Sequence, residues 1–391
     1  MADSKEMGAV PEGQKQGWGQ FLKSIASFSG DLSAMTAPSF ILSPVSLTEY
    51  PSYWGEHPDL FAKCSQGGDD IEKMVNVLRW FIATLKGQYT SRNQSMGSEK
   101  KPLNPILGEL FLGKWSADES KGSGETQLIA EQVSHHPPIT AYYLHNAKAG
   151  VTLEGHSAQK TSFSGRSISV KQVGHAVLRV ANSSGGEDLY LITLPNIVIE
   201  GLWYGAPYLE LSGTSHIIST TGMLATINYA GKGYFSGKSH SFKASVSSAS
   251  QPTSALYNIE GEWAGKSSFK GKSPDGSSNS TFHDASSSRR DIEVAPLDQQ
   301  GDMESRKVWA KVAEGIRKQD YDNASKEKTR IENEQRDKRK KEGEKGTPHQ
   351  LEYFVHVDED QEYAALLGKA KGVASGYPAK QDAYRRKPRV H

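Results

Sequence analysis

Two adjacent histidines, His135 and His136, stand beside two adjacent prolines in the stretch EQVSHHPPITAYY, residues 131–143. A metal site, a catalytic pair and an anion-binding corner could each use imidazoles in this arrangement. Consecutive side chains of a regular strand point to opposite faces, so a single metal ion could hardly bind both rings. An HExxH metal pattern and a G-x-S-x-G nucleophile elbow are absent, and Cys64, the single cysteine, has no evident activating base beside it. For a lone pair of histidines, the ordinary alternative is that one fills a turn and the other packs against the prolines.

The two prolines, Pro137 and Pro138, favour the anion-binding interpretation. Neither can donate a hydrogen bond to a β-ladder, so the pair belongs at the start of a strand or at a sheet edge. The backbone departs from regular strand geometry at such a place, and both rings could then face one ligand. An imidazole near neutral pH can donate hydrogen bonds to a phosphate and carry part of a positive charge.

A second stretch with anion-binding groups is GSEKKPLNPILGELF, residues 97–111. Lys101 precedes one proline and Asn104 precedes another. Two X-Pro steps impose an extended, stiff path, which could present an ammonium and an amide to an anion. A rigid loop with solvated lysines would have the same sequence pattern.

The third stretch lies in a long, charge-rich segment late in the chain. Lys328, Glu332 and Arg336 are spaced four residues apart, which places them on one face of a predicted helix. Such a ladder also occurs as plain salt bridging on a solvated helix, so none of the three stretches is specific by itself.

Apolar residues at three- and four-residue spacing predict a helix near the N-terminus, within residues 17–35. Its apolar face comprises Trp18, Phe21, Leu22, Ile25 and Phe28. The opposite face is nearly uncharged, unlike that of helices that bind membranes through many Lys and Arg residues. The helix therefore either packs on a core or inserts shallowly into loosely packed lipid. Both interpretations apply if the helix is a lid that can detach from the core.

Residues 103–270 change to short runs with period-two alternation or β-branched residues, separated by Gly, Asn and Ser clusters. With 38 glycines in the chain, these runs predict an antiparallel barrel or sandwich. The absence of a βαβ rhythm excludes a Rossmann-type sheet. The predicted segments are a disordered tail at 1–16, a lid and amphipathic membrane-sensing segment at 17–45, an N-terminal helical segment at 46–102, a β-core at 103–270, a loop (271–290) and C-terminal helical subdomain within 271–345, and a polar tail of low order at 346–391.

The bulk composition excludes several classes of protein. The formal net charge is +1 over 391 residues, so a generic nucleic-acid binder, which needs a broad basic field, is not expected. One cysteine allows neither an internal disulfide nor a cysteine-based zinc cluster, which fits a reducing compartment. The N-terminal residues have no apolar signal-peptide region, and no run approaches a membrane-spanning length. We therefore expect a cytoplasmic protein with peripheral membrane contact.

Taken together, the three stretches resemble the hallmarks of the oxysterol-binding protein family. EQVSHHPP matches the family signature without a mismatch, and GSEKKPLNPILGELF matches the second hallmark upstream of it. Similar segments, among them GKGYFSGK and MESRKVWAKV, extend the resemblance over about residues 17–345. The chain looks most like the short fungal members, which consist of the lipid-binding domain alone.

The resemblance implies a fold that is mainly β, with flanking helices. A nearly closed antiparallel β-barrel would surround a central lipid tunnel, with an N-terminal lid helix over its mouth and a C-terminal helical region. It implies a lipid transfer protein that binds a sterol and phosphatidylinositol 4-phosphate in one tunnel, mutually exclusively, and exchanges them between membranes. The expected partners are membrane lipids and curved or loosely packed bilayer surfaces of organelles. We expect a monomer without cofactor, metal or enzymatic activity.

The family's functional residues can be carried over position by position. The implied phosphoinositide site comprises Lys101, Asn104, His135, His136, Lys328, Glu332 and Arg336. The implied sterol site comprises Trp54, Gln88, Tyr89 and Gln172, with Gln88 deep in the tunnel near the sterol 3-hydroxyl. The lid residues Trp18, Phe21, Leu22, Ile25 and Phe28 would contact the membrane. The chain departs from the sterol binders at Ser157, where they have an asparagine, and again after residue 345.

Three alternatives remain beside lipid exchange. The protein could bind the same lipids as a regulator or sensor without net transport, or it could carry phosphatidylserine. A metal-dependent hydrolase would require a carboxylate partner for His135 and His136.

Overall fold

The computed structural model describes residues 15–28, 32, 35, 37–90, 100–204, 207–231, 238–347, 349–370, 372–373 and 375–388. The predicted disorder of residues 1–14 lies outside these ranges. Residues 15 and 16, which were predicted to be disordered, form the start of the first helix. The helices are α1 Lys15–Ser27, α2 Pro58–Lys63, α3 Asp70–Tyr89, α4 Ser305–Val308, α5 Ala310–Arg317, α6 Tyr321–Lys345 and α7 Gln361–Lys369.

Most of the remaining structure is β. The strands are β1 Leu42–Ser46, β2 Lys101–Leu103, β3 Leu110–Trp115, β4 Thr126–His135, β5 Pro138–Asn146, β6 Val151–Phe163, β7 Ile168–Val173, β8 His175–Ala181, β9 Glu187–Thr193, β10 Asn196–Glu200, β11 Tyr208–Ser219, β12 Met223–Ala230, β13 Ser241–Ser248, β14 Ala255–Glu262, β15 Lys266–Phe269, β16 Thr281–Asp284, β17 Phe354–Val357 and β18 Ala383–Arg386. Strand β16 lies within residues 271–290, which were predicted as a surface loop, so the sheet continues beyond the predicted limit at residue 270.

Strands β3 to β16 form one antiparallel sheet of 14 strands that curls into a nearly closed ring. The long strand β6 pairs with β8 along its first half and with β7 along its second half. Strand β11 likewise pairs with β10 along its first half and with β9 along its second half. A sharp corner at Gly174 separates β7 from β8. Its φ is +105°, and a Cβ there would lie 2.2 Å from the carbonyl oxygen of His156, so the corner requires glycine.

The gap between the two edge strands, β3 and β16, is partly sealed by the segment that follows β16. Lys114 on β3 and Glu293 exchange two backbone hydrogen bonds of 3.0 and 2.8 Å. Leu110 also donates its amide hydrogen to the carbonyl oxygen of Met303 at 2.9 Å. These bonds occupy groups that an open edge would leave unpaired. The mainly β, nearly closed fold with flanking helices is therefore confirmed.

Helix α3 closes one end of the ring. Its first turn is capped by Asp69, whose side chain accepts the Glu72 amide hydrogen at 2.8 Å. The helix buries a wide apolar face that includes Met74, Phe81 and Leu85 in the same core as the inward side chains of the strands.

The last described part of the chain, residues 349–388, contradicts the prediction of a polar tail of low order. This C-terminal ribbon contains the β17–β18 hairpin with α7 between its strands. Phe354, Tyr363 and Leu366 are buried against the outer face of the sheet. The segment reads as polar because only a few apolar residues anchor it, while charged groups on the sheet supply the other contacts.

Candidate functional site

A cavity of about 300 Å³ lies inside the ring of strands. Its wall is mostly apolar and aromatic and comes from β5, β6, β7 and β10 as well as from the helical segment 47–55. Polar side chains line it in two places, one group deep inside and one at the mouth. Such a mainly apolar chamber with a few convergent polar groups suits a lipid-like ligand.

The N-terminal segment covers the mouth of this cavity. Trp18, Phe21 and Ile25 of α1 line the cavity, and the Trp18 indole N–H donates to the carbonyl oxygen of Leu202 at 3.1 Å. Trp18, Leu22 and Ile25 are buried, whereas Phe28 is 41% exposed. The apolar face of the lid is therefore turned towards the cavity in this state, and its contact with a membrane stays a prediction.

The deep polar group contains the residues predicted for the sterol. Trp54, Gln88, Tyr89 and Gln172 all line the cavity. The Gln172 side-chain amide donates to the Tyr89 hydroxyl at 3.0 Å, and the Gln88 amide donates to the Thr84 hydroxyl at 2.8 Å. The side chains are thus already held by neighbours and present a fixed polar end to a ligand. Ser157 lines the cavity as well.

Two further residues of the wall, Thr140 and Tyr142, were not predicted as site residues. They are two positions apart on β5, so they share the inward face, and the alternation in TAYY was the signal for them. Tyr142 stacks on Trp54 with ring centroids 6.1 Å apart, and burial raises the pKa of its hydroxyl. The Thr140 hydroxyl donates to the Gln132 side-chain oxygen at 2.6 Å.

Two lysines at the mouth hold the lid. The Lys101 ammonium donates to the carbonyl oxygen of Met35 at 3.1 Å, and the Lys100 ammonium donates to that of Phe40 at 3.2 Å. Burial lowers the pKa of both lysines. Lys101 and Asn104 both line the cavity, so the rigid loop predicted from the two X-Pro steps does present these groups to it.

The two histidines lie together where β4 turns into β5. Their ring centroids are 4.5 Å apart with the planes at 69°, so the rings do not diverge as in a regular strand. His135 Nδ1 lies 3.2 Å from the carbonyl oxygen of Pro105. Because a carbonyl only accepts, Nδ1 carries the hydrogen, and Nε2 of the neutral ring is an acceptor. Burial, followed by the nearby Arg339 and His136, lowers the pKa of His135 to about 4.

Helix α6 brings only part of its predicted ladder to the mouth. Lys328 and Glu332 form an ion pair, and both influence the pKa of Lys101, Lys328 lowering it and Glu332 raising it. Arg336 is exposed, and its guanidinium donates to the side-chain oxygen of Asn333 at 3.1 Å.

Arg339 is the arginine of α6 whose charge acts on His135. It is half-buried, its Nε donates to the Gln335 carbonyl oxygen at 3.3 Å, and it is the strongest charge acting on His135. At about 100° per residue, Arg339 lies roughly 20° from Lys328 around the helix axis, whereas Arg336 lies roughly 80° away. The predicted site did not include Arg339, because the ladder carried over from the family has a strict four-residue spacing, while the less exposed face of α6 combines steps of four and three residues.

The other residues of the EQVSHHPP stretch support the histidine turn. The Gln132 side chain donates to the Ser134 carbonyl oxygen at 2.8 Å, and the Ser134 hydroxyl donates to that of Pro137 at 2.7 Å. The buried Glu131 carboxylate accepts the amide hydrogens of residues 352 and 353 at 2.7 and 2.8 Å. It thereby ties the C-terminal ribbon to the strand that carries His135.

Within the described ranges, no group of three or more His, Cys, Asp or Glu side chains is placed to hold a metal ion. No helix in the same part of the chain combines the length and the apolar character that crossing a bilayer requires.

Comparison with known sequences identifies similar proteins over most of the chain. A family model described as oxysterol-binding protein matches residues 20–316. Protein KES1 of Mycosarcoma maydis is 66% identical over 384 residues, which cover 98% of each chain. Protein kes1 of Schizosaccharomyces pombe is 49% identical over 89% of this chain and 88% of that protein.

Comparison with solved structures identifies the same architecture. The Osh1 ORD domain in complex with ergosterol has a TM-score of 0.68 at 22% identity, covering 93% of this chain and 85% of that one. The Osh3 ORD of Saccharomyces cerevisiae in complex with PI(4)P has a TM-score of 0.65 at 22% identity, covering 87% of each chain. At this identity, the likeness shows a shared fold.

Proposed function

The chain belongs to the oxysterol-binding protein family, as its motifs predicted, and we propose that it exchanges a sterol for phosphatidylinositol 4-phosphate between membranes. The observation that carries the proposal is a single lidded cavity with an apolar interior and a cluster of cations at its mouth. Both lipids would use this cavity, so binding would be mutually exclusive. The protein would act as a monomer at the surface of organelle membranes, without a covalent step.

The apolar interior suits a sterol. Burying on the order of 500 Å² of sterol surface at about 25 cal/mol/Å² is worth roughly 12 kcal/mol, and a bilayer offers the sterol a similar stabilisation. The protein therefore needs only to match the membrane while it shields the sterol from water. The sterol would be selected through its single hydroxyl by the side chains of Gln88, Tyr89, Gln172 and Trp54. Ser157 leaves more room in the cavity than an asparagine would.

The mouth suits a phosphorylated headgroup whose acyl chains lie in the cavity. Lys101, Asn104, His135, His136 and Lys328 would contact the phosphates, and Glu332 would orient the cations or accept hydrogen bonds from inositol hydroxyls. Arg339 would join this set, because it is half-buried and its charge acts on His135. Arg336 would join only after its guanidinium turned away from Asn333.

Protonation would accompany phosphate binding. The neutral His135 ring donates only through Nδ1, and that hydrogen is bonded to Pro105. A phosphate oxygen can accept from Nε2 only after Nε2 takes up a proton. The negative phosphate would raise the pKa of His135 from its low value of about 4 in the empty site, so binding should strengthen as the pH falls towards 6.

The lid contacts support exchange rather than simultaneous binding. The Lys101 ammonium that would bind a phosphate is occupied by the Met35 carbonyl oxygen of the lid. A phosphate would compete with that carbonyl, so headgroup binding would loosen the lid around a sterol. This competition favours transport over a sensor that holds its lipid without release.

The proposal is tested with His135→Ala/His136→Ala in liposome assays of lipid extraction and transfer. The variant should lose at least about a hundredfold in phosphatidylinositol 4-phosphate extraction, because two groups that bind the phosphate are removed, and should keep sterol binding in solution. His356→Ala, at an exposed histidine of the ribbon, is the matched control and should behave as wild type.

Other outcomes would contradict the proposal. Equal loss of sterol and phosphoinositide binding in the double variant would refute separate headgroup and sterol sites. Failure of the wild-type protein to extract any sterol would refute the sterol assignment, and extraction of phosphatidylserine in its place would make it a carrier of that lipid. Binding of both lipids without accelerated transfer would leave a sensor.

A further inference from the structure

The loop between β10 and β11 carries two exposed aromatic residues at the mouth of the cavity. Trp203 is 54% exposed and Tyr204 is 90% exposed, and both belong to the short 3-10 turn Leu202–Tyr204. Isolated exposed apolar residues are common on proteins, but two adjacent large aromatic side chains pointing into water are costly. They call for an explanation that the cavity and its lid do not supply.

This loop is part of the entrance. Leu202 is buried against Trp18 and Leu22 of the lid, and its carbonyl oxygen accepts the Trp18 indole hydrogen. Leu202 also lines the cavity. The inner side of the turn therefore closes the entrance, while Trp203 and Tyr204, next in the chain, face outwards beside it.

The turn that carries the aromatic residues is held in place. The Trp203 indole N–H donates to the carbonyl oxygen of Gly165 at 3.2 Å, which joins the turn to the loop between β6 and β7. The Tyr204 amide donates to the Gly201 carbonyl oxygen at 3.1 Å. The Trp203 ring, which the bond to Gly165 fixes, loses little side-chain entropy when a surface covers it, and the backbone that carries Tyr204 is fixed beside it.

The surroundings of the pair are basic. Arg166 is exposed at the tip of the β6–β7 loop. Lys160 and Lys171 are exposed and paired directly across β6 and β7, on the outer face, because the flanking Gln159, Thr161, Val170 and Gln172 line the cavity. Glu200, an acidic residue at the end of β10, accepts the hydroxyl hydrogen of Tyr208.

We propose that Trp203 and Tyr204, with Arg166, Lys160 and Lys171 behind them, form a docking patch for the surface of an anionic bilayer. Trp and Tyr side chains settle at the level of lipid headgroups, because each combines an apolar ring with a polar edge. Lysine and arginine near such a surface add attraction to anionic lipids. A protein partner fits less well, since two rings cover far less than the roughly 800 Å² per side of a stable protein interface.

The patch gives the closed protein a way to attach. The apolar residues of the lid, apart from Phe28, line the cavity or are buried beside it, so the lid cannot provide the first contact while it stays shut. A patch on the outside of the entrance can bind first and hold the mouth against the lipid. The role of the patch in exchange rests on the proposed function, but membrane attachment by itself does not.

Attachment is measured by flotation with vesicles of phosphatidylcholine containing phosphatidylserine, using the full chain. Trp203→Ala/Tyr204→Ala should lower vesicle partitioning by at least about tenfold. Leu297→Ala is the matched control, because Leu297 is 51% exposed on another part of the surface, and it should leave partitioning unchanged. Sterol binding in solution should stay at the wild-type level in both variants, which verifies folding.

A label provides a second measurement. Cys64, the single cysteine, is fully buried, so Tyr204→Cys can be labelled selectively with an environment-sensitive fluorophore. Its emission should shift to the blue on addition of vesicles, and that of a label at Leu297→Cys should not. Unchanged partitioning of the aromatic double variant, or a label at position 204 that stays in water on bound vesicles, would overturn the proposal. A blue shift that depends on protein concentration without vesicles would overturn it in favour of a second copy of the chain.

The same measurements separate this proposal from the proposed function. Partitioning through the patch without any lipid transfer would support the docking surface and contradict lipid exchange. If the aromatic double variant transfers lipid at the wild-type rate and partitions onto vesicles like the wild type, the docking surface is contradicted and lipid exchange is not.

Discussion

The lid and the C-terminal ribbon cover different sides of the same barrel and are held by opposite kinds of contact. The lid rests on apolar contacts, with single hydrogen bonds from Trp18, Lys100 and Lys101. The ribbon is fixed by buried charge: Asp360 accepts from His175 at 2.7 Å and from Arg385 at 2.7 Å. Apolar contacts can be exchanged for a ligand or a bilayer at little cost, whereas separated buried charges cannot. We therefore expect the lid to open readily and the ribbon to remain attached to the barrel.

Other charged side chains of the barrel strengthen the attachment of the ribbon. Arg179 on β8 forms two hydrogen bonds with Glu362, at 2.7 and 2.6 Å. Glu154 on β6 accepts the backbone amide of Arg386 at 2.8 Å. With the bonds from Glu131 on β4, these contacts join the ribbon to the strand that carries His135 and to strands β6 and β8 of the same sheet.

Asp360→Asn is the most direct test of the contacts that hold the C-terminal ribbon. It keeps the shape and the cap of α7 but removes the charge that faces Arg385 and His175. Burial alone would raise the Asp360 pKa, but the bond from His175 and the charge of Arg385 hold it well below its usual range. We expect a loss of about 3 kcal/mol in the free energy of unfolding, measured in urea. Asp358→Asn, at a 99% exposed side chain, should cost almost nothing. Equal losses in the two variants would show that the network does not hold the ribbon.

Acid should loosen the ribbon before it affects the lid. His156 packs on Tyr384 and His216 on Tyr377, and burial lowers the pKa of both histidines to about 4. His156 also faces His175, Asp360, Asp382 and Arg385, whose effects are smaller than that of burial. The unfolded pKa is near 6.5, so the stability that depends on the neutral rings is complete above that value and is lost as the pH falls towards 4.

Between pH 7 and pH 5.5 the expected loss for the two histidines is about 2 kcal/mol. Hydrogen exchange should show the amides of residues 354–386 losing protection first, and those of α1 later. His156→Gln should reduce the pH dependence. Simultaneous loss of protection in both regions would contradict the expectation that acid loosens the ribbon before the lid.

Trp18→Ala tests the contacts that hold the lid. Removing the indole takes away its packing on Leu202 and its hydrogen bond, which should weaken lid closure by about 1.5 kcal/mol. Sterol release should become about tenfold faster, with little change in the free energy of unfolding. Lys23→Ala, on the exposed face of the same helix, is the control. A large drop in global stability would mean that the lid is as integral to the fold as the ribbon.

Lys100→Met should have the smallest effect. Methionine keeps the length of the side chain but loses the hydrogen bond to the Phe40 carbonyl oxygen, worth about 1 kcal/mol. Sterol release should accelerate about fivefold. Lys121→Met, at an exposed lysine, controls for loss of charge. Unchanged release would show that Lys101 alone holds this part of the lid.

Local patterns in the sequence determined much of this protein. Period-two runs predicted the strands, and the three- and four-residue spacing around Trp18 predicted the lid helix and its apolar face, because both signals are carried by neighbouring residues. The prolines around Lys101 and His135 predicted stiff, irregular segments, since prolines fix the local path of the chain, and the resemblance to the oxysterol-binding protein family implied that these segments share one site. These expectations needed no knowledge of distant contacts.

The tertiary structure decided what depends on residues far apart in the chain. The ribbon is ordered because residues of β4, β6 and β8 supply its charge partners, and its own sequence gives no sign of them. Arg339 is half-buried and Arg336 is exposed, because the packing of α6 selects which side of the helix is inside. Trp203 and Tyr204 are exposed because Leu202 takes the inward place beside the lid. In each instance the burial of a side chain is set by long-range packing, which a local pattern does not contain.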